Sequence, residues 1–279
     1  MLKLLKSGFY TTLQDEGRFG YRDKGVPVSG VMDAMVARNA NRLLENDDNA
    51  AVLEITMTGP TLQFEEETYI VLAGAEMSAT LNNQPITNYK VVYVGAGDIL
   101  SYGRLINGFR GYLAIKGGFR STIILGSQSQ YFPITASGSL KDNDELNYGK
   151  VSLFNPKISE LQTESLMEET VLQASKGPEY GHLDNGHFEK LFFNEFSVAK
   201  EYNRMGYQFE EKIKGHKISM LTSATLPGTV QLTPAGKLII LMKDGQTTGG
   251  YPRILQLSVK AICILAQKKF GDKVSLKLV

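Results

Sequence analysis

Two stretches of the chain gather the side chains that do chemistry. The first runs Thr12-Leu13-Gln14-Asp15-Glu16-Gly17-Arg18-Phe19-Gly20-Tyr21 and on through Gly25-Val26-Pro27-Val28-Ser29-Gly30-Val31-Met32-Asp33. It sets hydroxyl, amide, carboxylate and guanidinium groups among glycines and a proline, with too little apolar periodicity for a plain helix or a buried strand. Glycines permit positive φ or close backbone approach and Pro27 fixes a bend, so a shaped loop presenting these groups to a ligand is expected. A structural loop, with Arg18 paired to Asp15 and the glycines serving turns, accounts for the same residues. The second stretch, Lys243-Asp244-Gly245-Gln246-Thr247-Thr248-Gly249-Gly250-Tyr251-Pro252-Arg253, follows the apolar run Leu238 to Met242. Gly249-Gly250 beside Thr247 and Thr248 offers backbone N–H groups and hydroxyls to a carboxylate or phosphate; a β-turn that needs its glycines is the alternative. The Lys-Ser/Thr ending of a phosphate-binding P-loop is missing and Pro252 interrupts any following helix, which argues against a nucleotide loop.

Other reactive residues are sparse. His182 and His187 lie near one short helix and His216 stands in a charged turn, so surface or packing roles are expected and no metal site. Cys263, inside Val259-Lys260-Ala261-Ile262-Cys263-Ile264-Leu265-Ala266, reads as a small buried apolar residue rather than a nucleophile. A single cysteine excludes an intramolecular disulfide and fits a reducing compartment.

The elements that must position these groups are mostly strands. Residues 33–44 form the clear early helix, with Met32, Val36, Ala40 and Leu43 or Leu44 on one face, Asn39, Asn41 and Arg42 elsewhere, and Ser29 or Asp33 as cap. Short strands follow at Ala51 to Ile55, Thr61 to Phe64, Tyr69 to Ala73, Val91 to Val94, Ile99 to Tyr102 and Gly111 to Ile115, with Gly and Asn punctuation between them. That rhythm predicts a barrel or sandwich rather than βαβ units. Residues 156–177, rich in Ser, Glu, Thr, Gln and Lys, read as a linker between a first subdomain, 1–155, and a second, 178–279. A short amphipathic helix at Gly186 to Phe193 precedes further strands near Phe196, Val230 and Leu238. An internal echo supports two related halves: Arg18-Phe19-Gly20-Tyr21 recurs as Arg204-Met205-Gly206-Tyr207, and Gly59-Pro60-Thr61-Leu62-Gln63-Phe64 matches Pro227-Gly228-Thr229-Val230-Gln231-Leu232.

With 279 residues, 42% of them hydrophobic, the chain is long enough for a large buried core. Its net charge of +1 and lack of a basic stripe exclude an electrostatic argument for nucleic acid or an anionic membrane. No run approaches the roughly eighteen apolar residues of a membrane helix, and Met1-Leu2-Lys3-Leu4-Leu5-Lys6 is not a signal peptide, so a soluble cytoplasmic protein is expected.

The motifs Thr12-x-Gln14-Asp15-x-Gly17-Arg18-x-Gly20-Tyr21, Gly25-Val26-Pro27-x-Ser29-Gly30-x-Met32-Asp33, Leu53-Glu54, Gly59-Pro60-Thr61-Leu62, Gly117-Gly118, Leu125-Gly126-Ser127, Gly177-Pro178-Glu179, Arg204-Met205-Gly206-Tyr207 and Thr248-Gly249-Gly250-Tyr251-Pro252 resemble, in order, the allophanate hydrolase subunit 2 family. That family includes the C-type subunit of bacterial 5-oxoprolinase and relatives that antagonise the Kip kinase inhibitor, and is similar to part of the carboxyltransferase region of biotin-dependent urea carboxylase. The resemblance implies a mainly β fold of two tandem related cyclophilin-like β-barrel subdomains with a few short helices. It implies a hydrolase of a cyclic amide, a subunit of an ATP-dependent 5-oxoprolinase converting 5-oxo-L-proline to L-glutamate. The implied partners are a B-like subunit of the allophanate hydrolase subunit 1 family and an A-like subunit. ATP is expected to be used by the complex and not bound by this chain alone, and no covalent biotin is expected. The alternatives are a regulatory subunit antagonising a kinase inhibitor, or a carboxyltransferase or allophanate hydrolase-type component acting on urea-derived substrates. In the lactam reaction Asp15 or Asp33 would orient or deprotonate water and Arg18 would stabilise the developing oxyanion, with Thr247, Thr248 and the Gly249-Gly250 amides as further donors. Gln14, Ser29, Gln231 and Tyr251 would hydrogen-bond the substrate. The chain departs from the family pattern at Gln128, where an arginine is usual, at Asn203 before Arg204, and at Leu255; the missing arginine bears on substrate binding if it normally meets a carboxylate.

Overall fold

The computed structural model describes residues 1–162 and 166–279. The chain forms two compact units, Met1–Arg18 with Ser29–Met167 and Phe19–Val28 with Glu168–Val279. The first contains β1 (Leu2–Lys6), β2 (Tyr10–Gln14), α1 (Ala34–Leu43), β3 (Val52–Thr56), β4 (Thr61–Phe64), β5 (Thr68–Glu76), β6 (Thr80–Leu81), β7 (Gln84–Pro85), β8 (Val92–Val94), β9 (Ile99–Ser101), β10 (Asn107–Ile115), β11 (Phe119–Arg120) and β12 (Glu145–Tyr148). They make a seven-stranded sheet in the order β11-β12-β1-β4-β9-β6-β7 and a five-stranded sheet in the order β2-β3-β10-β5-β8.

Strand alternation explains how these elements pack. Leu2, Leu4, Leu62, Phe64 and Leu100 from one sheet meet Leu13, Leu53, Ile55, Ile70, Leu72, Leu113 and Ile115 from the other in one buried cluster. The intervening residues Val52, Val71, Ala73, Tyr112 and Ala114 face the opposite way and bury Val36, Ala37, Ala40 and Leu43 of α1. A strand covered on both faces reads as a continuous apolar run, which is why Tyr69 to Ala73 shows no polar alternation. Of the two expected caps it is Asp33 that closes the N-terminus of α1, accepting from the Val36 N–H at 3.2 Å. Asn41 departs from the expected polar face: it is buried, and its amide donates to the Ala50 carbonyl at 2.8 Å, tying the helix to the loop that follows.

The second unit contains β13 (Val171–Lys176), α2 (Asn185–Phe193), β14 (Glu195–Tyr202), β15 (Gly206–Lys212), β16 (Ser223–Ala224), β17 (Thr229–Leu232), β18 (Lys237–Leu241), β19 (Thr248–Gly249), β20 (Arg253–Leu257), α3 (Val259–Ala266) and β21 (Lys273–Leu278). Seven of these strands close a barrel in the order β13-β20-β17-β18-β15-β14-β21, sealed by parallel pairing of β13 with β21 from Val171↔Ser275 to Ala174↔Leu278.

The mainly β class therefore holds, with the barrel closed in the second unit and two facing sheets in the first. The expected linker is different. Its residues 163–165 lie outside the described residues, and Val171–Lys176 is a barrel strand rather than linker. Its composition misleads because only Leu172 and Ala174 face inward while Gln173, Ser175 and Lys176 face out. Residues 19–28, expected with the first half, group with the second unit. Cys263 is buried in α3, capped by Ser258, as expected of a small apolar side chain. The internal echo is one of sequence and not of pairing: β17 and β18 form a hairpin, whereas their counterparts β4 and β5 lie in different sheets. Likewise Arg204 sits in the tight turn between β14 and β15, while Arg18 follows β2 in an irregular segment.

Candidate functional site

In the first unit, Asp15 leaves the end of β2 and enters a hub of short bonds. Its Oδ1 accepts from the hydroxyls of Ser127 and Ser129, each at 2.6 Å, and from the Gly17 N–H at 2.8 Å. Oδ2 accepts from the Gln128 N–H at 2.7 Å. Ser129 Oγ also accepts from the Asp15 N–H at 3.0 Å, and Ser127 Oγ from the Ser129 N–H at 3.0 Å. Four donors fill the acceptor capacity of an ionised carboxylate, and the group is 4% exposed. The geometry gives Asp15 a holding role rather than the water-orienting role expected of it. Arg18, 1% exposed, donates from Nη2 to the Ser129 carbonyl at 2.5 Å and from Nε to the Ile124 carbonyl at 3.5 Å. It braces the same 124–129 turn instead of facing solvent as an oxyanion donor.

Asp33, also fully buried, is spent on the α1 cap, and its N–H donates to the Tyr112 hydroxyl at 2.8 Å. That hydroxyl donates to Glu54 Oε2 at 2.9 Å, which also accepts from the Met32 N–H at 2.7 Å. Arg110 Nε stands 3.8 Å from Glu54 Oε1, both side chains buried. The Tyr112 phenol is pushed up by burial first and by the Glu54 charge second. The row Thr12, Glu54, Tyr112 crosses three neighbouring strands in register, so alternation alone puts these polar groups under the 29–33 segment. Gln14 joins them on β2 and donates to the Gln130 carbonyl at 3.1 Å, while Ser29 is buried at φ 57°.

The remaining expected residues, Gln231, Thr247, Thr248, Gly249, Gly250 and Tyr251, belong to the second unit, and there a pocket forms. A cavity of about 270 Å³ is lined by Glu201, Asn203, Met205, Gly206, Gln208, Gln231, Ile239, Leu241, Gln246 and Tyr251. Val230 and Leu232 point into the barrel, so Gln231 points out, in one cross-strand row with Ile239 and Gln208. An outward glutamine is ordinarily wet, yet Gln231 is 1% exposed. Gln246 reaches over from the β18–β20 connection and donates to Gln231 Oε1 at 3.4 Å. Gly249 makes the approach possible: a Cβ there would stand 2.5 Å from Gln231 Nε2 and 2.6 Å from Gln246 Nε2. Gln231 Nε2 is buried without a hydrogen-bond acceptor among the described residues. Thr247 accepts from the Thr225 N–H through its carbonyl at 3.0 Å and pins this connection, leaving Thr248, Gly250 and Tyr251 exposed. Gly249 lies in a strand paired with Ser223, so the glycine pair opens no helix.

Arg22, from the segment that joins this unit, donates to the Thr225 carbonyl and, at 3.5 Å, to that of Gln246. Burial lowers its pKa from the usual arginine value. A linear reading gives no site role to Arg22, Gln246, Glu54, Ser127 or Ser129. Alternation of Gln231 with buried Val230 and Leu232 is the available signal for the pocket; nothing in a linear pattern marks Ser127 and Ser129 as partners of a residue more than a hundred positions away.

The departures from the family pattern are accommodated locally. Gln128 Oε1 accepts from the Ser121 N–H at 2.9 Å, Asn203 Oδ1 accepts from the N–H groups of Met205 and Gly206, and Leu255 is buried in β20. His187 forms a reciprocal cap with Asp184, and His216 Nε2 lies 2.9 Å from the Leu232 carbonyl, both packing roles.

Two β units, one of them a closed barrel carrying a small amide-lined pocket, define a β protein with room for a small polar ligand on a rigid sheet. The chain belongs to the family described as carboxyltransferase domain, subdomain A and B, whose model matches residues 24–278. It is 34% identical over 98% of its length to the C-type subunit of 5-oxoprolinase from Escherichia coli (strain K12), spanning 90% of that protein. It is 32% identical over 100% of its length to the protein of the same name from Haemophilus influenzae, spanning 91% of it. Among solved structures, TTHA0988 superposes with a TM-score of 0.90 at 27% identity over 99% of this chain, and the chain spans 56% of that protein's length. The Kluyveromyces lactis urea amidolyase matches with a TM-score of 0.88 at 29% identity, the chain spanning 18% of it.

Proposed function

We propose that this chain is the C-type subunit of an ATP-dependent 5-oxoprolinase, which opens the lactam of 5-oxo-L-proline to L-glutamate. The observation that carries this reading is end-to-end similarity to two bacterial proteins that bear the name of that subunit. The unstrained amide requires activation of its carbonyl before water attacks, and ATP supplies that activation within the complex. This chain works in the cytoplasm beside an A-like subunit and a B-like subunit of the allophanate hydrolase subunit 1 family, and is active only with them. It carries no covalent biotin. Its contribution is to bind and orient the substrate, with Tyr251 lining the pocket.

The test is reconstitution. Purified chain, A-like and B-like subunits together should release ADP and L-glutamate when 5-oxo-L-proline is added, and leaving out this chain should abolish glutamate formation. ATP hydrolysis indifferent to 5-oxo-L-proline, or glutamate formed at full rate without this chain, overturns the reading. Similarity of the whole chain to the K. lactis urea amidolyase makes urea-derived substrates the second reading; the same assay run with urea and allophanate in place of the lactam distinguishes it.

A further inference from the structure

The pocket of the second unit has the wrong charge for the substrate proposed above. Its lining holds one carboxylate, Glu201, and, among the described residues, no cation. Glu201 is exposed and makes no ion pair among the described residues. 5-Oxo-L-proline carries a carboxylate of its own, and two like charges in one cavity repel unless something positive lies between them. The chain's own groups do not supply it. Lys237 Nζ stands 3.5 Å from Gln208 Oε1 but lies outside the lining. Asn203 Oδ1 is spent on the Met205 and Gly206 N–H groups, which leaves that side chain a neutral donor and no counter-charge. The other groups within reach suit a cation. Gln246 gives its nitrogen to Gln231 Oε1 at 3.4 Å, so its oxygen is the acceptor left over. The Tyr251 phenol and the Met205 thioether are 40% and 54% exposed. Gly206 faces outward opposite Leu241, since Tyr207 points into the barrel, and its missing side chain keeps the floor beside Ile239 open.

From this arrangement we infer that the site is completed from outside the chain: a partner subunit inserts an arginine whose guanidinium is seated on Glu201 and faces the substrate carboxylate. A guanidinium is a planar fork of five donors, so one edge bonds Glu201 while the remaining N–H groups serve the Gln246 oxygen and the substrate. It stays charged when half-buried and stacks on a phenol such as Tyr251, and its methylene stem is at home against Met205 and Ile239. An ammonium, a point charge, does not bridge two carboxylates with paired bonds. Free arginine would bring a further carboxylate, so the guanidinium belongs to a polypeptide. A metal ion fits less well, because Glu201 is the single charged ligand in the lining. The anion served rests on the function proposed above; the seat on Glu201 does not.

The test uses the full chain and its reconstituted three-subunit complex. Ligand-observed NMR titration of the chain compares Nα-acetyl-L-arginine amide with Nα-acetyl-L-citrulline amide, its neutral isostere. Binding of the first and not the second is expected. Glu201→Gln keeps the side chain's shape, removes its charge at an exposed position, and should weaken capped-arginine binding about tenfold with an unchanged melting curve. Gln246→Ala, also at an exposed position, should weaken it severalfold. Saturating capped arginine should raise the chain's affinity for 5-oxo-L-proline severalfold and leave that for 2-pyrrolidinone, the same ring without the carboxylate, unchanged. In the complex, Glu201→Gln should raise KM for 5-oxo-L-proline about tenfold with kcat little changed. Capped citrulline bound as tightly as capped arginine, equal affinity of wild type and Glu201→Gln, or no binding of capped arginine overturns the inference. A complex inactive on 5-oxo-L-proline whose chain still binds capped arginine through Glu201 sinks the proposed function and leaves the seat. An active complex with KM unchanged in Glu201→Gln does the reverse.

Discussion

A residue's type says what it can donate or accept, and its neighbours decide whether that capacity is available. Asp15 illustrates the difference, since its two oxygens already accept two serine hydroxyls and two backbone N–H groups. Removing the carboxylate strands all four donors inside the protein, so Asp15→Ala should destabilise the chain by about 3 kcal/mol or more in urea denaturation, and Ser129→Ala by about 1 kcal/mol. The milder Asp15→Asn keeps one acceptor oxygen; its folded fraction should retain turnover in the reconstituted complex, and a loss of kcat of about a thousandfold in folded protein would restore Asp15 to catalysis. Gly249 argues from the opposite direction, through space. Gly249→Ala would drive a methyl group against Gln231 Nε2 and Gln246 Nε2; Gln246 is exposed and can yield, while Gln231 is enclosed. The expected outcome is a loss of about 1 kcal/mol in thermal unfolding.

At the scale of elements, the barrel wall depends on the turn after β13. Glu179 accepts from the N–H and Nε of Arg253, both at 2.9 Å, and from its Nη2 at 2.7 Å, while Arg253 Nη1 donates to the Ala224 carbonyl at 2.5 Å. One ion pair thus fastens the 177–182 turn, β20 and β16. The side-chain bond from Arg253 is the main cause holding the Glu179 carboxyl below the usual glutamate range. A carboxylate with a lowered folded pKa adds stability that is present above its unfolded pKa of about 4.3 and is lost as pH falls below it. Melting curves should show Glu179→Gln less stable than wild type by about 1 kcal/mol at pH 7, the difference shrinking toward pH 3; a difference that grows on acidification contradicts this role. Elements are also what the chain announces best. Period and capping mark α1 and the strands of the first unit because each buries one regular face. β13 escapes a linear reading because a barrel strand with only two inward side chains looks like polar linker. Of the candidate site, Gln231 and Tyr251 are legible in the residue pattern and do line the pocket, whereas the serines around Asp15 and the carboxylate–phenol pair of Glu54 and Tyr112 depend on partners brought together only by the fold.

For the whole molecule, the consequential feature is that the second unit is not continuous in sequence. Residues 19–28 belong to it although they precede nearly all of the first unit, and Arg22 supplies the bonds that fasten them, to the carbonyls of Thr225 and Gln246. Those carbonyls also matter to the pocket: Thr225 Oγ1 donates to the Gln246 carbonyl at 2.5 Å, and the Gln246 side chain reaches Gln231. A cut at the compositional boundary would therefore produce a barrel fragment whose strands are complete and whose β18–β20 connection has lost its outer support. The prediction is a fragment of residues 168–279 with the circular dichroism of a β barrel and with amide exchange at 224–226 and 244–251 faster than in the full chain by about tenfold or more, while β15, β17 and β18 stay protected. Arg22→Ala in the full chain should reproduce that pattern over the same residues without unfolding the barrel, because the lost bonds end on the backbone carbonyls of Thr225 and Gln246. Uniform exchange across the fragment, or an Arg22→Ala protein indistinguishable from wild type at 244–251, would show that the barrel holds the roof of its pocket unaided. If the pattern holds, Arg22 is what couples the 19–28 segment to the connection that carries Gln246.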